Sequence, residues 1–411
     1  MRDYEMFSLP NGIRVIHKQV SNTKIVHCGF ILDIGSRDEL AHQQGIAHFW
    51  EHMAFQGTRK RKAFHILNRL ESVGGELNAY TTKEKICFYA SVLDPFFENA
   101  IELLTDITFD SIFPPKQIDK ERRVILEEMA MYLDTPEDAL QDEFDKVVFG
   151  NHPLGNNILG TEESVKSFSR KNFKEFISEN LDTSRLIFSC VGNISLDHVK
   201  KFSRKHLVKI PSKYNNRKRK PFGDYLPKNE TKYRNLIQAQ CAIGCPAYPI
   251  GNERRLPFFM LVNILGGPGM NSRLNLALRE KHGFAYSIDA NYNPFMDTGL
   301  FSILFGTDPK QLERSVHIVF KELEKLKSKS LGKVQLHRAK EQLMGQLAMA
   351  EENNTSLMLM MGRSMLDLDK IDSLEKVFDH IRKIKSRDLQ NIAHEIFEFD
   401  SLSMLKFVGN A

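Results

Sequence analysis

The chain has 411 residues, of which 42% are hydrophobic and 27% charged, and its formal net charge is +5. This length is sufficient for two domains with full cores, and the ordinary globular composition excludes a low-complexity or disordered protein. No apolar run approaches the ~20 residues that a membrane-spanning helix needs, so we expect no membrane partner.

The first residues and the cysteines bear on the compartment. The N-terminal stretch has neither an apolar core nor the Arg- and Ser-rich composition of a transit peptide, so no targeting signal is predicted. The cysteines are odd in number and scattered, as is typical of proteins from a reducing compartment: Cys28, Cys87, Cys190, Cys241 and Cys245. The last two form a close pair in an apolar run and are predicted to be buried thiols. We expect a cytoplasmic protein.

The chain opens with predicted β-structure. Residues 4–9 and 13–19 are predicted to form a hairpin around the turn Asn11-Gly12. Residues 25–34 form a strongly apolar predicted strand, and a polar loop at 35–39 follows it. This loop leads to the stretch that carries the first chemical signal.

That signal is the sequence His48-Phe49-Trp50-Glu51-His52. In a helix, His48 and His52 are one turn apart and project from the same face, where two imidazoles can bind one divalent metal ion. Glu51 lies on the same side, where it can contact a metal-bound water molecule and take its proton. The pattern H-x-x-E-H therefore predicts metal-assisted hydrolysis.

Chance and core packing can also produce this pattern. With 14 histidines in the chain, H-x-x-E-H arises by chance in roughly a few per cent of such sequences. Two histidines and a glutamate on an apolar helix can also form a hydrogen-bonded core cluster. A third ligand in a suitable place would favour the metal site over both.

The next elements alternate between helix and strand. Residues 63–73 are predicted to be a helix that ends at Gly74-Gly75, and residues 76–82 and 86–93 are predicted to be two strands. A helix over 96–109 follows. These elements separate the histidine motif from the helix that supplies the third ligand.

A third ligand is predicted on the helix over residues 117–133, which follows Pro114-Pro115 and has apolar side chains at helical spacing. Glu121 and Glu128 lie on one face of this helix, two turns apart. Catalytic zinc takes three protein ligands and leaves a position for water, and two histidines with one glutamate are a known set. The alternative is an ordinary solvated acidic face.

The combination resembles the pitrilysin family of inverzincin zinc peptidases, and most of all its short-chain branch, which includes mitochondrial processing peptidase and its bacterial relatives. The resemblance is carried by H-x-x-E-H and by the later run Glu121-Arg122-Arg123-Val124-Ile125-Leu126-Glu127-Glu128-Met129. It implies one zinc ion per chain, and it implies roles for these residues: His48, His52 and Glu128 as zinc ligands, Glu51 as general base on zinc-bound water, and Glu121 as a carboxylate that orients a histidine or the water. Glu127 is the rival ligand, but it lies one residue off the Glu121 face.

A basic segment divides the chain. Between residues 200 and 234, Lys and Arg greatly outnumber the acidic residues Asp224 and Glu230. Residues 211–235 follow neither the helical nor the strand period and are predicted to be an exposed basic linker. A nucleic-acid surface is the alternative, but no aromatic interleaving or binding motif accompanies the charge, so we expect no nucleic-acid partner.

The second half repeats the order of elements of the first. Predicted strands at 236–244, 284–290, 299–305 and 402–408 enclose predicted helices at 255–265, 271–281 and from 309 to about 397. Ala285-Tyr286 takes the place of Ala79-Tyr80, and the metal helix maps near residues 254–258, where there are no ligands. We therefore expect an α+β fold of two homologous two-layer domains, each a mainly antiparallel sheet packed by helices. The predicted domains are 1–210, which binds zinc, and 236–411, which has no metal.

The resemblance also implies substrate contacts. The run from Leu278 to Tyr286 resembles the second signature of the family, in which an Arg and a Tyr clasp the substrate backbone. Those residues are Arg279 and Tyr286 here, although a helix-end Arg and a core-packed Tyr would give the same sequence. In the family an edge strand lies next to the zinc, so substrate is expected to add as an extra strand along Asn78, Ala79, Tyr80 and Thr81.

We thus expect a zinc-dependent endopeptidase that hydrolyses unfolded peptides. Long members of the family hold four such domains, so the resemblance implies that this chain is half of a clamshell and closes a chamber as a homodimer. A heterodimer with a related subunit is the other possibility that the family offers. The alternative function is a non-catalytic or partner-dependent subunit that binds peptides.

Overall fold

The structure is a computed structural model that describes residues 4–409. Its strands are β1 (Glu5–Ser8), β2 (Arg14–Gln19), β3 (Ile25–Leu32), β4 (Glu76–Thr81), β5 (Ile86–Leu93), β6 (Leu186–Gly192), β7 (Asn229–Arg234), β8 (Ala239–Ala247), β9 (Ala285–Pro294), β10 (Gly299–Thr307) and β11 (Ser403–Gly409). Its α-helices are α1 (Ile46–Ala54), α2 (Ala63–Glu71), α3 (Phe97–Phe109), α4 (Pro115–Asp134), α5 (Pro136–Phe149), α6 (Glu162–Ser167), α7 (Arg170–Asn180), α8 (Leu196–His206), α9 (Arg255–Gly266), α10 (Leu312–Ser328), α11 (Lys333–Glu352), α12 (Asn354–Leu368), α13 (Leu374–Lys383) and α14 (Ser386–Ile396).

The chain folds into two compact units. Unit one holds the described residues up to Met129 together with Asn156–Lys220 and Met349–Ser373. Unit two holds Ala130–Gly155, Pro221–Ala348 and the described residues from Leu374 onward. The predicted domains, in contrast, were continuous in sequence. The difference lies mainly in two segments: the one that contains α5 belongs to unit two, and the one that contains α12 belongs to unit one.

Unit one is built on a six-stranded sheet in the order β1-β2-β6-β3-β5-β4. β2 pairs with β6 in parallel, and every other neighbouring pair in this sheet is antiparallel. β4 pairs with β5 alone among the described strands and is therefore an edge strand, as the family resemblance implied for residues 78–81. One edge of the sheet thus presents the backbone groups of residues 76–81.

Unit two repeats this topology in a five-stranded sheet, β7-β11-β8-β10-β9. The β7–β11 pair is parallel and the other pairs are antiparallel, as in the corresponding strands of unit one. β9, which begins at Ala285-Tyr286, is the edge strand that corresponds to β4. The predicted α+β class, with two homologous units of mainly antiparallel sheet packed by helices, is confirmed.

Each sheet is covered on both faces, which adds a third layer to the predicted two. In unit one, alternate residues of the fully buried strand β6 point to opposite sides: Phe188 joins the large core that also contains α1 and α3, whereas Ile187 and Val191 pack against Met358 and Met361 of α12. In unit two, α5 covers the second face of the sheet in the same way. A strand that is apolar on both sides must be covered on both faces. This explains why α12 packs on the sheet of unit one and α5 on the sheet of unit two.

The basic linker differs from its prediction as a solvated segment. Residues 211–228 have no regular secondary structure, but Asn229–Arg234 forms β7. Arg219 donates two hydrogen bonds to the Asp38 carboxylate, at 2.8 and 2.9 Å, and lies 2.8 Å from Asp33. Arg219 was predicted to be solvated but pairs with buried carboxylates. The sequence did not reveal these pairs because Arg219 lies far along the chain from Asp33 and Asp38.

The remaining elements include one unusual helix. Residues Asn275–Glu280, within the predicted helix 271–281, form a π-helix. All five cysteines are free and buried, as predicted for Cys241 and Cys245. Within residues 4–409, no helix has the length and apolar character needed to cross a membrane.

Candidate metal centre

The metal motif lies on α1, a nine-residue helix that begins after Gly45. Gly45 has φ +92° and no side chain to cap the helix, and a Cβ atom there would lie 2.4 Å from the Leu159 carbonyl oxygen. The cap is supplied from a distance by Glu39, whose carboxylate accepts hydrogen bonds from Gly45 N–H and Ala47 N–H, both at 2.9 Å. These two hydrogen bonds cap the first turn, so Glu39 holds α1 in place.

The opposite face of α1 fixes the helix against the core. Phe49 and Trp50 are fully buried, and the Trp50 ring lies 5.9 Å from that of Phe88 on β5. Because these two residues anchor one face, His48 and His52 are presented on the other, toward α4. The ring centroids of the two histidines are 4.6 Å apart.

The structure brings together the three predicted ligands, His48, His52 and Glu128. One donor atom from each lies within 4.8 Å of the others. The Glu128 carboxylate is 3.8 Å from His48 Nε2 and 3.6 Å from His52 Nε2. Among the described residues this is the one such cluster of three or more potential ligands, and it lies entirely in unit one.

The geometry fits a zinc ion. The two gaps to Glu128 are too long for ordinary hydrogen bonds, which are about 2.7–3.2 Å. Each is measured to a different carboxylate oxygen, and both approach the roughly 3.3–3.6 Å that separates neighbouring ligands of a tetrahedral zinc with bonds of about 2.0–2.2 Å. Two imidazoles and one carboxylate are also a donor set of catalytic zinc sites, which keep one position open.

Glu121 lies behind His52. Its Oε2 is 3.3 Å from His52 Nδ1, the ring nitrogen that does not face Glu128, and its side chain is only 8% exposed. A carboxylate there fixes the tautomer and the orientation of a metal-binding imidazole. Glu127, the rival ligand, is exposed and is absent from the cluster.

Glu51 is held from the edge strand. The Thr81 hydroxyl donates a hydrogen bond of 2.6 Å to Glu51 Oε2. Leu77 and Ala79 share this face of β4 and pack against the core, whereas Asn78 is exposed and Tyr80 is half-buried. The strand predicted to receive substrate is thus the strand that touches the predicted general base.

Burial controls the ionisation of the cluster before a metal binds. Burial, followed by the charge of His52, lowers the pKa of His48 to about 3. Burial alone would lower the pKa of His52 too, but the hydrogen bond to Glu121 and the neighbouring carboxylates raise it above its ordinary value. Burial raises the pKa of Glu51 and of Glu128. Perturbed groups of this kind cluster at functional sites.

Arg279 and Tyr286 belong to unit two. Tyr286 is 85% exposed, so it is not a core residue, and the Arg279 guanidinium lies 5.7 Å from the centre of its ring. Arg279 lies on the π-helix, a form that is frequent at functional sites. Their contribution to substrate binding stays a prediction.

Sequence reasoning missed two features that shape the site: the capping of α1 by Glu39 and the hydrogen bond from the Thr81 hydroxyl to Glu51. Glu39 was part of a polar loop, yet an α1 that starts at a glycine needs an acceptor from elsewhere. Thr81 was predicted to bind substrate. Side chains alternate along a strand, so Thr81 lies on the same face of β4 as Ala79, which packs against the core.

Family comparisons agree with this geometry. Residues 14–162 match the family model described as insulinase (peptidase family M16), and residues 167–343 match the one described as the peptidase M16 inactive domain. The first match contains the whole metal cluster. The second ends before α12 and the C-terminal strand.

Individual relatives cover nearly the whole chain. An uncharacterized zinc protease of Bacillus subtilis is 31% identical over 98% of both chains, and one of Rickettsia felis is 33% identical over 96% of this chain and 95% of its own. Two solved structures share the fold. A peptidase M16 inactive domain from Pseudomonas fluorescens has a TM-score of 0.92 at 17% identity, covering 100% of this chain and 98% of that one. A protease from Helicobacter pylori has a TM-score of 0.88 at 20% identity, covering 98% and 99%.

Proposed function

Since the chain belongs to the insulinase family of peptidases, family M16, we propose that it is a zinc-dependent endopeptidase that hydrolyses peptide bonds of unfolded peptides. The observation that carries the proposal is the convergence of His48, His52 and Glu128 with Glu51 beside them. The relatives named as zinc proteases support the general activity. The mechanism and the substrate are proposals for this chain.

His48, His52 and Glu128 would hold the ion, one per chain. When bound, zinc supplies a Lewis acid that lowers the pKa of a water molecule and polarises a carbonyl group. Glu51, held by Thr81 at one oxygen, takes the proton of the attacking water at its other oxygen and then delivers it to the leaving amine nitrogen. Glu121 keeps the His52 imidazole in the orientation that directs Nε2 toward Glu128.

The proposed substrate is an extended peptide that adds to the free edge of β4. Residues Asn78, Ala79, Tyr80 and Thr81 would bind its main chain, so recognition would depend little on side chains. Arg279 and Tyr286 would supply donors to the peptide backbone or to a developing oxyanion. An unfolded segment can adopt the extended conformation, whereas a folded domain cannot, so we expect unfolded substrates.

We further propose that the protein works as a cytoplasmic homodimer or as a heterodimer with a related subunit. Family resemblance supports the dimer, and the odd, scattered cysteines support the compartment. Light scattering of the purified chain tests the homodimer: a monomer with full activity would contradict it, and activity that appears only on addition of a related subunit would favour the heterodimer.

Cleavage of an internally quenched, unstructured peptide tests the enzymatic function. We expect the zinc-loaded protein to cleave it, chelation to abolish cleavage, and added zinc to restore it. A folded protein of the same composition should be cleaved far more slowly. Peptide binding without cleavage by zinc-loaded protein would instead favour the alternative, a non-catalytic or partner-dependent subunit.

A further inference from the structure

The hydrogen bond between Thr81 and Glu51 joins two different elements of unit one. Thr81 ends the edge strand β4, and Glu51 lies on α1. The hydroxyl lies 2.6 Å from Glu51 Oε2, and both side chains are half-buried. Within residues 4–409, Thr81 is the one residue that donates a hydrogen bond to the Glu51 carboxylate, and it donates to Oε2 rather than Oε1.

A carboxylate that acts as a base must hold one oxygen toward the proton it removes. A glutamate side chain has several rotamers, and fixing it costs conformational entropy. A hydroxyl that donates to a charged carboxylate forms a short, strong bond. With Oε2 engaged by Thr81, the side chain is restricted to rotamers in which Oε1 alone remains available to a reacting water.

We infer that Thr81 is a positioning residue that orients Glu51 for proton transfer and ties the base to the strand along which the peptide binds. This inference rests on the proposed function. Its consequence is specific: the hydroxyl of Thr81 acts on the chemical step through Glu51, rather than on substrate affinity. The main chain of β4 can pair with a peptide whether or not position 81 carries a hydroxyl.

Two different roles for the hydroxyl would have different consequences. If the hydroxyl contacts substrate, its loss raises KM and leaves kcat unchanged. If it only stabilises the end of β4, another substitution that loosens this end lowers kcat to the same extent as loss of the Thr81 hydroxyl. Thr82 provides the matched control, because its hydroxyl bonds to the β4–β5 turn, at 2.9 Å from Lys85 N and 3.2 Å from Lys85 O, and does not contact Glu51.

The experiment compares Thr81→Val, which keeps shape and removes the donor, with Thr81→Ser, which keeps the donor, and with Thr82→Val. We measure kcat, KM, zinc affinity and the temperature of unfolding of each zinc-loaded protein. For Thr81→Val we expect kcat to fall about 10- to 100-fold, with KM and zinc affinity within about twofold of wild type. Thr81→Ser should recover most of kcat, and Thr82→Val should keep it.

Each contrary result has a distinct meaning. Wild-type kcat in Thr81→Val overturns the inference, and a rise in KM alone assigns Thr81 to substrate contact. Loss of zinc from Thr81→Val, or an equal loss of kcat in Thr82→Val, shows a merely structural role. If zinc-loaded wild type cleaves no peptide, the proposed function fails and the inference fails with it. If wild type cleaves peptide only with zinc bound, the proposed function holds whatever the Thr81 variants show.

Discussion

Glu121 Oε2 lies 3.3 Å from Nδ1 of His52, while Nε2 of the same ring faces Glu128 at 3.6 Å. One imidazole is thus held between two carboxylates, one of which orients it and the other of which would share the metal. The neighbouring residues of α4 make this arrangement testable, because Glu127 is exposed and outside the cluster.

The first prediction concerns zinc affinity. Glu121→Gln should weaken zinc binding about 10- to 100-fold, because the substitution removes the charge that fixes the His52 tautomer. Glu127→Gln should bind zinc as wild type does. Competition with a chelator of known affinity measures both variants. Equal affinities of Glu121→Gln and wild type would show that Glu121 does not support the ligand.

The second prediction concerns the start of α1. Glu39→Gln should lower the free energy of unfolding by about 0.5–2 kcal/mol, because an amide has one acceptor oxygen where the carboxylate has two, one for each N–H of the helix start. The single tryptophan, Trp50, lies on α1, so its fluorescence reports any displacement of the helix. Chemical denaturation measures the stability, with Glu162→Gln in the exposed first turn of α6 as control. Equal effects of the two substitutions would refute the capping role.

The third prediction concerns pH in the metal-free protein. His48 has a pKa of about 3 in the folded state, so between pH 3 and 6.5 the unfolded chain binds more protons there and this residue makes the fold less stable as pH falls. The raised pKa of His52 acts in the opposite sense: its contribution is present below pH 6.5 and is lost as pH rises through the folded-state pKa.

An NMR titration of the imidazole protons checks both signs. His52 should titrate above 6.5, and His48 should remain neutral at pH 5. Zinc should abolish the titration of His52 in the neutral range, because a bound cation excludes protons from its ligands. Two midpoints near 6.5 would contradict the burial argument.

The fourth prediction concerns the linker. Arg219 is 11% exposed and lies between the buried carboxylates of Asp33 and Asp38. Burial alone would raise the pKa of Asp33, but Arg219, Arg185 and Arg217 lower it below the ordinary value. Arg219→Met removes one of the guanidinium groups that pair with Asp33 and Asp38, while Arg185 and Arg217 remain beside these carboxylates. The substitution should destabilise the fold by up to about 3–5 kcal/mol. Thermal or chemical unfolding measures this, and Lys218→Met, at an exposed neighbouring position, should have little effect.

Much of the site was predictable because its signals are local. H-x-x-E-H places its three side chains on one face of any helix, and the spacing of Glu121 and Glu128 does the same on α4. The repeated order of elements also predicted the repeated sheet topology. In each case the periodicity of a single element carried the information.

The rest depends on contacts between distant segments. Nothing local in the basic linker shows that Arg217 and Arg219 pair with Asp33 and Asp38, so a solvated linker was the natural prediction. The exchange of α5 and α12 between units was hidden for the same reason, since each helix covers a sheet far from its neighbours in sequence. Apolar character on both faces of β6 was the signal that a further layer was needed.

The central claim is that Glu51 performs chemistry at a metal that it does not bind. Zinc content and peptide cleavage of Glu51→Gln, measured on the same preparation, test this most directly. We expect one zinc per chain, as in wild type, and a loss of cleavage of at least about a thousandfold. Loss of zinc from this variant would make Glu51 a ligand, and cleavage at the wild-type rate would exclude it as the general base.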